Sequence, residues 1–389
     1  MRKILALLLA LVLVMGLAAC GTSEPEAPAV EEPYPEDPID TAETVEDPTL
    51  ENGEFAANDI FVALVAHSPE SILDDGSFNE GAWQGIQRFL SNNGLSDDHA
   101  RFFQPHSADD VARVDLVADA VSWGANIVVL PGFHFIDSSA EMQEMFPEVK
   151  FVLLDATPAG GPAANLAAIH YAEEQAGFLA GYAAVMEGYR SLGFMGGHAV
   201  PAVVRFGHGF LLGAEHAAES LELAEGDITV NYFYVGGFAP SPEVATTASA
   251  WFAGGTEVIF AAAGGAGFSV ISGAEASGGS VIGVDVDQSG ASEVVITSAM
   301  KALDVSVYDM LTDFLNGTFR GGVELMFNAS VNGVGLPMAT SRFQHFTQAQ
   351  YDAIFALLAD GSVVVSNVVT PTVAEADLGL TLVTVTELN

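Results

Sequence analysis

From Ile60 onward, short uninterrupted apolar runs alternate with longer segments in which apolar residues return every three or four positions. The first pattern is that of strands buried on both faces, the second that of amphipathic helices. Residues 60–66 read as the first strand. The stretch 73–89, LDDGSFNEGAWQGIQRF, follows, and Ala82, Trp83, Ile86, Phe89 and the next residue Leu90 keep helical spacing. Ser77 and Glu80 stand as in a capping box, where the serine hydroxyl and the glutamate each satisfy a free N–H of the first turn. Phe78 then falls in the first turn of a helix, on the carboxyl side of a strand. That is the edge of an open α/β sheet where ligands bind. By spacing alone, Phe78 can equally pack on Ala82 as core.

The alternation continues. Strands are predicted at 101–104, 126–130, 150–155 and 166–171, with helices at 108–122 and 138–146. A second series has helices at 178–186, 203–218, 242–252, 267–276 and 303–315, and strands at 192–195, 228–235, 257–261, 280–285 and 296–299. Asn316-Gly317 supplies a C-cap for the last of these helices. The tail predicts hairpin-like strands around Asn332-Gly333 and a helix over 348–359. Strands alternating with helices imply βαβ units and parallel sheets. The fold class is therefore α/β, and about 330 residues are too many for one core, so two doubly wound lobes are expected.

Composition changes the picture at the N-terminus. Arg2 and Lys3 precede an apolar run at 5–17, the form of a signal peptide over 1–19 that is too short to span a bilayer comfortably. It ends in Leu17-Ala18-Ala19-Cys20, a lipobox, so Cys20 is the expected lipidation site. The alternative is a cysteine that merely happens to end the signal. Cys20 is the only cysteine, which excludes an intramolecular disulfide. Residues 21–57 hold twelve Asp or Glu, six Pro and no Lys or Arg, the composition of an extended acidic tether. The net charge is −40, and losing residues 1–19 takes Arg2 and Lys3 away to leave −42. Such a surface repels nucleic acid and anionic lipid, so any membrane contact is through the lipid anchor. Lysine occurs only at Lys3, Lys150 and Lys301, and acid excess with scarce lysine suits a salty habitat.

Signals for catalysis are poor. The chain has no Gly-Lys-Ser/Thr phosphate loop, no HExxH and no GxSxG elbow, and its nine histidines are scattered. No metal, cofactor or catalytic residue is assigned. The glycine-rich stretch 264–273 reads either as a tight turn or as a close backbone approach to a ligand. Phe78 with Asn79, the segment 132–137 (GFHFID), Gly236-Gly237-Phe238, the segment 283–288 (GVDVDQ) and Lys301 all lie at strand ends and can converge on one cleft. Two aromatic rings can sandwich a flat heterocycle, and a carboxylate such as Asp285 can accept two bonds from a sugar diol. Asp285 as a turn cap and Lys301 as a surface ion pair are the plainer alternatives.

These segments, with FPEVKFVLLD, EEQAGFLAGYAAV, GFMGGHAVPAVVRFGHGF, VGGFAPSPE, VIFAAAGGAG and TSAMKALDVSVYDML, resemble the BMP family of basic membrane lipoproteins over residues 59–336. The resemblance implies a type I periplasmic-binding fold, with two Rossmann-like lobes joined by a hinge: 58–172 with 304–331, and 173–303 with 332–389. It implies a non-catalytic, monomeric lipoprotein on the extracytoplasmic face of the cell membrane, which delivers a purine nucleoside to an ABC permease. Carried over by motif, Phe78 and Phe238 stack on the base, Asp137 addresses it, and Gly264, Asp285 and Lys301 hold the ribose. The family's base-reading Asp after the first strand is here His67, the loop 68–73 is longer, and Asp74 is the acid that can reach round to substitute. The segment between Asp285 and Lys301 is shorter than usual. A sugar or other small polar ligand, a nucleoside-cleaving enzyme and a ligand sensor for a membrane kinase are the alternative readings.

Overall fold

A computed structural model describes residues 57–388. The signal segment, Cys20 and the acidic stretch as far as residue 56 lie outside the described residues.

Five parallel strands, β1 (Val62–Val65), β2 (Ala100–Phe103), β3 (Ile127–Pro131), β4 (Lys150–Leu154) and β5 (Leu166–Tyr171), join β11 (Val323–Phe327) in one sheet of order 11-5-4-3-1-2. A second sheet takes β6 (Ser191–Gly196), β7 (Ile228–Tyr234), β8 (Val258–Ala262), β9 (Ser280–Asp285) and β10 (Val295–Lys301), with β12 (Val334–Gly335) and β13 (Val383–Leu388) at its edges. The strands β1, β3, β4 and β8 are buried throughout, which is why the sequence shows them as unbroken apolar runs rather than alternation.

The core orders 2-1-3-4-5 and 7-6-8-9-10 are the same doubly wound topology, built twice. Each sheet therefore has a switch point, between β1 and β3 in the first and between β6 and β8 in the second. Loops leaving the carboxyl ends of those strands form a crevice there. Equivalent strands also set up equivalences between residues. The residue after β4, Asp155, matches the last residue of β9, Asp285.

The helices are α1 (Phe78–Asn92), α2 (Asp110–Trp123), α3 (Ile136–Met145), α4 (Glu173–Glu187), α5 (Pro201–Ser220), α6 (Pro242–Ala253), α7 (Ala266–Ser277), α8 (Leu303–Leu315), α9 (Gln348–Ala359) and the short α10 (Val373–Ala376). The helix α4 starts five residues before the apolar spacing suggests, because Glu173 is buried rather than exposed. It packs very closely on α5. A methyl group on Gly177 or Gly181 of α4, or on Gly209 or Gly213 of α5, would collide with the backbone of the facing helix.

The chain passes between the sheets three times, from β5 to α4, from β10 to α8 and from β11 to β12. The helix α8 packs on α1 beside the first sheet. The expected hairpin at Asn332-Gly333 is not formed. Instead, β11 pairs with β5 in the first sheet and β12 pairs with β10 in the second, so the Asn-Gly turn serves a crossing. Asn332 adopts the left-handed φ of 57° that such a turn needs. The strand β13, parallel to β7, is an addition that the tail's pattern did not announce.

Candidate functional site

Three carboxylates and three rings surround one lysine between the sheets. Lys301 ends β10, and its Nζ lies 2.5 Å from Asp155 Oδ2, 3.2 Å from Glu173 Oε1 and 3.7 Å from Asp285 Oδ1. The rings of Phe78, Phe206 and Tyr171 stand 4.8, 5.3 and 5.4 Å from the same nitrogen. Burial opposes the lysine's charge, but Asp155, Glu173 and Asp285 together hold its pKa above the ordinary value. Burial pushes Asp155 up to about 7 against the pull of Lys301. Burial also acts to raise the pKa of Glu173, but Arg205 and Lys301 overcome it and keep that pKa low, with Arg205 Nε 2.7 Å from Glu173 Oε2.

The loop before α1 reaches across to the second sheet. Ser77 Oγ donates to Asp285 Oδ2 at 2.6 Å, and Gln288 Nε2 donates to the Gly76 carbonyl at 2.7 Å. The capping box expected of Ser77 is therefore absent, because its hydroxyl is committed to Asp285. Asp75 caps the helix in its place, accepting from the backbone N–H groups of Ser77, Asn79 and Glu80, while Glu80 accepts from Gly76 N–H. Asn79 is buried and spends its side-chain amide on the Ile72 carbonyl. Asp74 is exposed.

At the switch point of the first sheet, His67 follows β1 and His134 follows β3. Their rings are stacked, 4.0 Å between centroids and 1° from parallel. Ser71 Oγ is 3.1 Å from His67 Nδ1. Burial, and secondarily Arg113, lowers His67 to about 4; burial, followed by His67, Arg113 and His198, lowers His134 to about 3. Near pH 7 both are neutral, each with one ring donor and one acceptor. Asp137, three residues further on, is exposed in the first turn of α3.

The second sheet answers with His198, after β6, and Phe238, after β7. Their rings meet edge to face with centroids 5.4 Å apart. Phe238 is half-buried and lies against Gly197 and Gly264, the latter with φ of 53°. A methyl on Gly197 would collide with Phe238 Cε1, so that glycine is what lets the ring lie close to the β6 loop, whereas Gly264 is required by its left-handed backbone. Asp285 also has a left-handed φ, 66°, as does Asp155 at 57°.

The structure thus draws Phe78, Asp285 and Lys301 into one cluster and groups Phe238 with Gly264 beside His198. Asp74 and Asp137 are left on the surface. The sequence pattern did not single out Asp155, Glu173, Arg205, His134 or His198, and it gave Ser77 only a capping role. For Asp155 a signal did exist, an acid closing an apolar strand in KFVLLD as another does in VIGVD. A cavity of about 490 Å³ adjoins the lysine, walled by Gly76, Glu80, Phe268, Gln288, Lys301 and Asp304 among others, with neither Phe78 nor Phe238 in its lining.

The chain is 29% identical over 294 residues to the "ABC transporter nucleoside-binding protein BmpA" of Lactococcus lactis subsp. cremoris, covering 70% of this chain and 81% of that one. It is 25% identical to the "CD4+ T-cell-stimulating antigen" of Listeria monocytogenes, over 79% and 88% of the two chains. Among solved structures it resembles an ABC transporter solute-binding protein from Aeropyrum pernix K1, with a TM-score of 0.63, 23% identity and coverage of 82% and 90%. Another, from Conexibacter woesei, gives a TM-score of 0.64 at 24% identity, with coverage of 79% and 99%. At those identities the two structures establish the fold. Residues 62–356, which include both switch points and the lysine cluster, match the profile of the Bmp family, described as "ABC transporter substrate-binding protein PnrA-like", and the chain belongs to that family.

Proposed function

We propose that the chain captures a purine nucleoside between its two sheets and delivers it to an ABC permease, without chemical change to the ligand. The observation that carries the reading is the placing of Phe78 after β1 and Phe238 after β7, one aromatic ring from each sheet, with Asp285 and Lys301 in the cluster that holds Phe78. The base stacks on the rings and the sugar diol bonds to Asp285 and Lys301. The neutral His67 and His134 offer the base edge both donors and acceptors, where a carboxylate would only accept. A nucleotide is disfavoured, since Asp155, Glu173 and Asp285 already surround the lysine and would repel its phosphates. The chain is lipid-anchored through Cys20 on the extracytoplasmic face, with residues 20–57 as its tether and with lobes 58–172 plus 304–331 and 173–303 plus 332–389.

Calorimetry with inosine, guanosine and ribose tests the ligand. Binding of the nucleosides, with ribose far weaker, is expected. Ribose bound alone would remove the stacking argument and leave a sugar binder. Release of hypoxanthine from inosine would establish a cleaving enzyme instead.

A further inference from the structure

Asp155 and Asp285 hold equivalent places in the two lobes. Each stands at the carboxyl end of the fourth strand of its series, β4 or β9, and each takes a left-handed backbone that is unusual for a non-glycine residue. Their side chains converge on the Lys301 ammonium from opposite sheets. Asp285 has both oxygens engaged, one by Ser77 and one facing Lys301. Asp155 does not. Its Oδ2 pairs with Lys301, while Oδ1 is buried and has no hydrogen-bond donor, although the side chain is only 10% exposed. A buried carboxylate oxygen without a donor costs free energy, and such atoms in native proteins mark strain, function or a missing partner. Because Lys301 hangs from the second sheet, the Asp155 side chain is directed across the space between the lobes. The same lysine lies 4.8 Å from the centre of the Phe78 ring, so Asp155 and the ring proposed to carry the base share one cation.

We propose that Asp155 is a further specificity-determining residue, its free oxygen accepting a hydrogen bond from a sugar hydroxyl of the ligand so that the two acids grip the sugar from both lobes. The inference rests on the nucleoside reading above. It identifies the ligand as one that carries hydroxyls on adjacent carbons, a ribonucleoside rather than a deoxynucleoside or a free base. The groups facing Asp155 are Lys301, Glu173, Asp285 and Tyr171. With Asp155 raised to about 7, the acceptor is charged above neutral pH and becomes a weaker, uncharged one below it.

The test is calorimetry of the full chain and of Asp155→Asn with inosine, 2′-deoxyinosine, 3′-deoxyinosine and hypoxanthine. The chain should favour inosine over at least one deoxynucleoside by roughly tenfold, the worth of a hydrogen bond to a charged group. In Asp155→Asn that preference should shrink to about threefold or less, with hypoxanthine binding unmoved. A residue that only supports the fold would weaken all four ligands together and leave the preference intact, and that result overturns the proposal. If the variant does not fold, the unaltered chain decides: the inosine-to-deoxyinosine ratio should fall as pH drops from about 8 to about 6, and a flat ratio overturns it. Failure of the full chain to bind any nucleoside overturns the parent reading and this inference with it. Nucleoside binding with an unaltered preference in Asp155→Asn overturns this inference alone.

Discussion

The hydroxyl of Ser77, in the loop after β1, donates at 2.6 Å to Oδ2 of Asp285, at the end of β9. Both residues are buried, and the bond joins the first lobe to the second. A hydrogen bond to a charged group contributes about 1.5–3 kcal/mol. Ser77→Ala should therefore favour separation of the lobes and weaken nucleoside binding by roughly tenfold, since ligand binds the joined form. Small-angle scattering of the ligand-free variant should show a larger radius of gyration. Unchanged scattering and affinity together would mean that this bond does not hold the lobes.

Phe238 tests the stacking argument with little risk to the fold, because its ring is only half-buried, at the margin of the core and on Gly197 and Gly264. Base stacking on an aromatic side chain is worth about 1–3 kcal/mol. Phe238→Ala should weaken nucleosides by at least roughly tenfold while the melting temperature holds. Asp285→Asn should do the same with ribonucleosides. Wild-type affinity in both variants would dispose of the assigned site.

How much of this is legible in the sequence depends on the range of the interaction. The strands β1, β3, β4 and β8 and the helix α9 are visible because burial on both faces, or on one helical stripe, writes itself into neighbouring residues. Ser77 misleads for the opposite reason. Its spacing to Glu80 is that of a local cap, but its partner lies 208 residues away, and Asp75 takes over the cap. Glu173 and Arg205 carry no local sign of being a buried pair, since their neutralisation depends on the close packing of α4 on α5. The kinship of Asp155 with Asp285 requires the order of the strands. Asn332-Gly333 marks a turn correctly; only pairing partners tell a hairpin from a crossing.

Glu174 gives a pH prediction. Burial is the main reason its pKa rises to about 7, with Glu173 adding to it and Arg205 opposing. The folded protein therefore binds a proton there that the unfolded chain releases above about 4.5. The associated stability is present at low pH and lost as pH rises through about 7. A tenfold change in proton affinity between the two states corresponds to about 1.4 kcal/mol. Glu174→Gln, which stays neutral, should be more stable than the unaltered chain at pH above about 7 and lack that part of its pH slope. Urea unfolding of both proteins from about pH 5 to about pH 8.5 measures the difference; parallel curves would contradict it.

The tail beyond residue 356 lies outside the span matched by the family profile, and a single carboxylate ties down its last strand. Glu215, on α5, accepts from Thr381 N–H and Oγ1 and from the N–H groups of Leu382 and Val383, at 2.6 to 3.1 Å. Burial alone would raise its pKa, but the bonds from Thr381, Val383 and Leu382 prevail and lower it. That stabilisation is present above the unfolded pKa and disappears as pH falls through the lowered folded value. With the clamp gone, β13 keeps its ladder to β7 and the packing of Val383, on the outer edge of the sheet. In Glu215→Ala, hydrogen exchange of residues 381–388 should quicken by roughly tenfold or more while β8 and β9 stay protected, as expected when one unit opens without the rest. Nucleoside affinity should not change, because the clamp lies apart from Phe238, Asp285 and Lys301. Slow exchange in the tail of that variant would show that the β7 ladder and the buried Val383 hold it without the clamp.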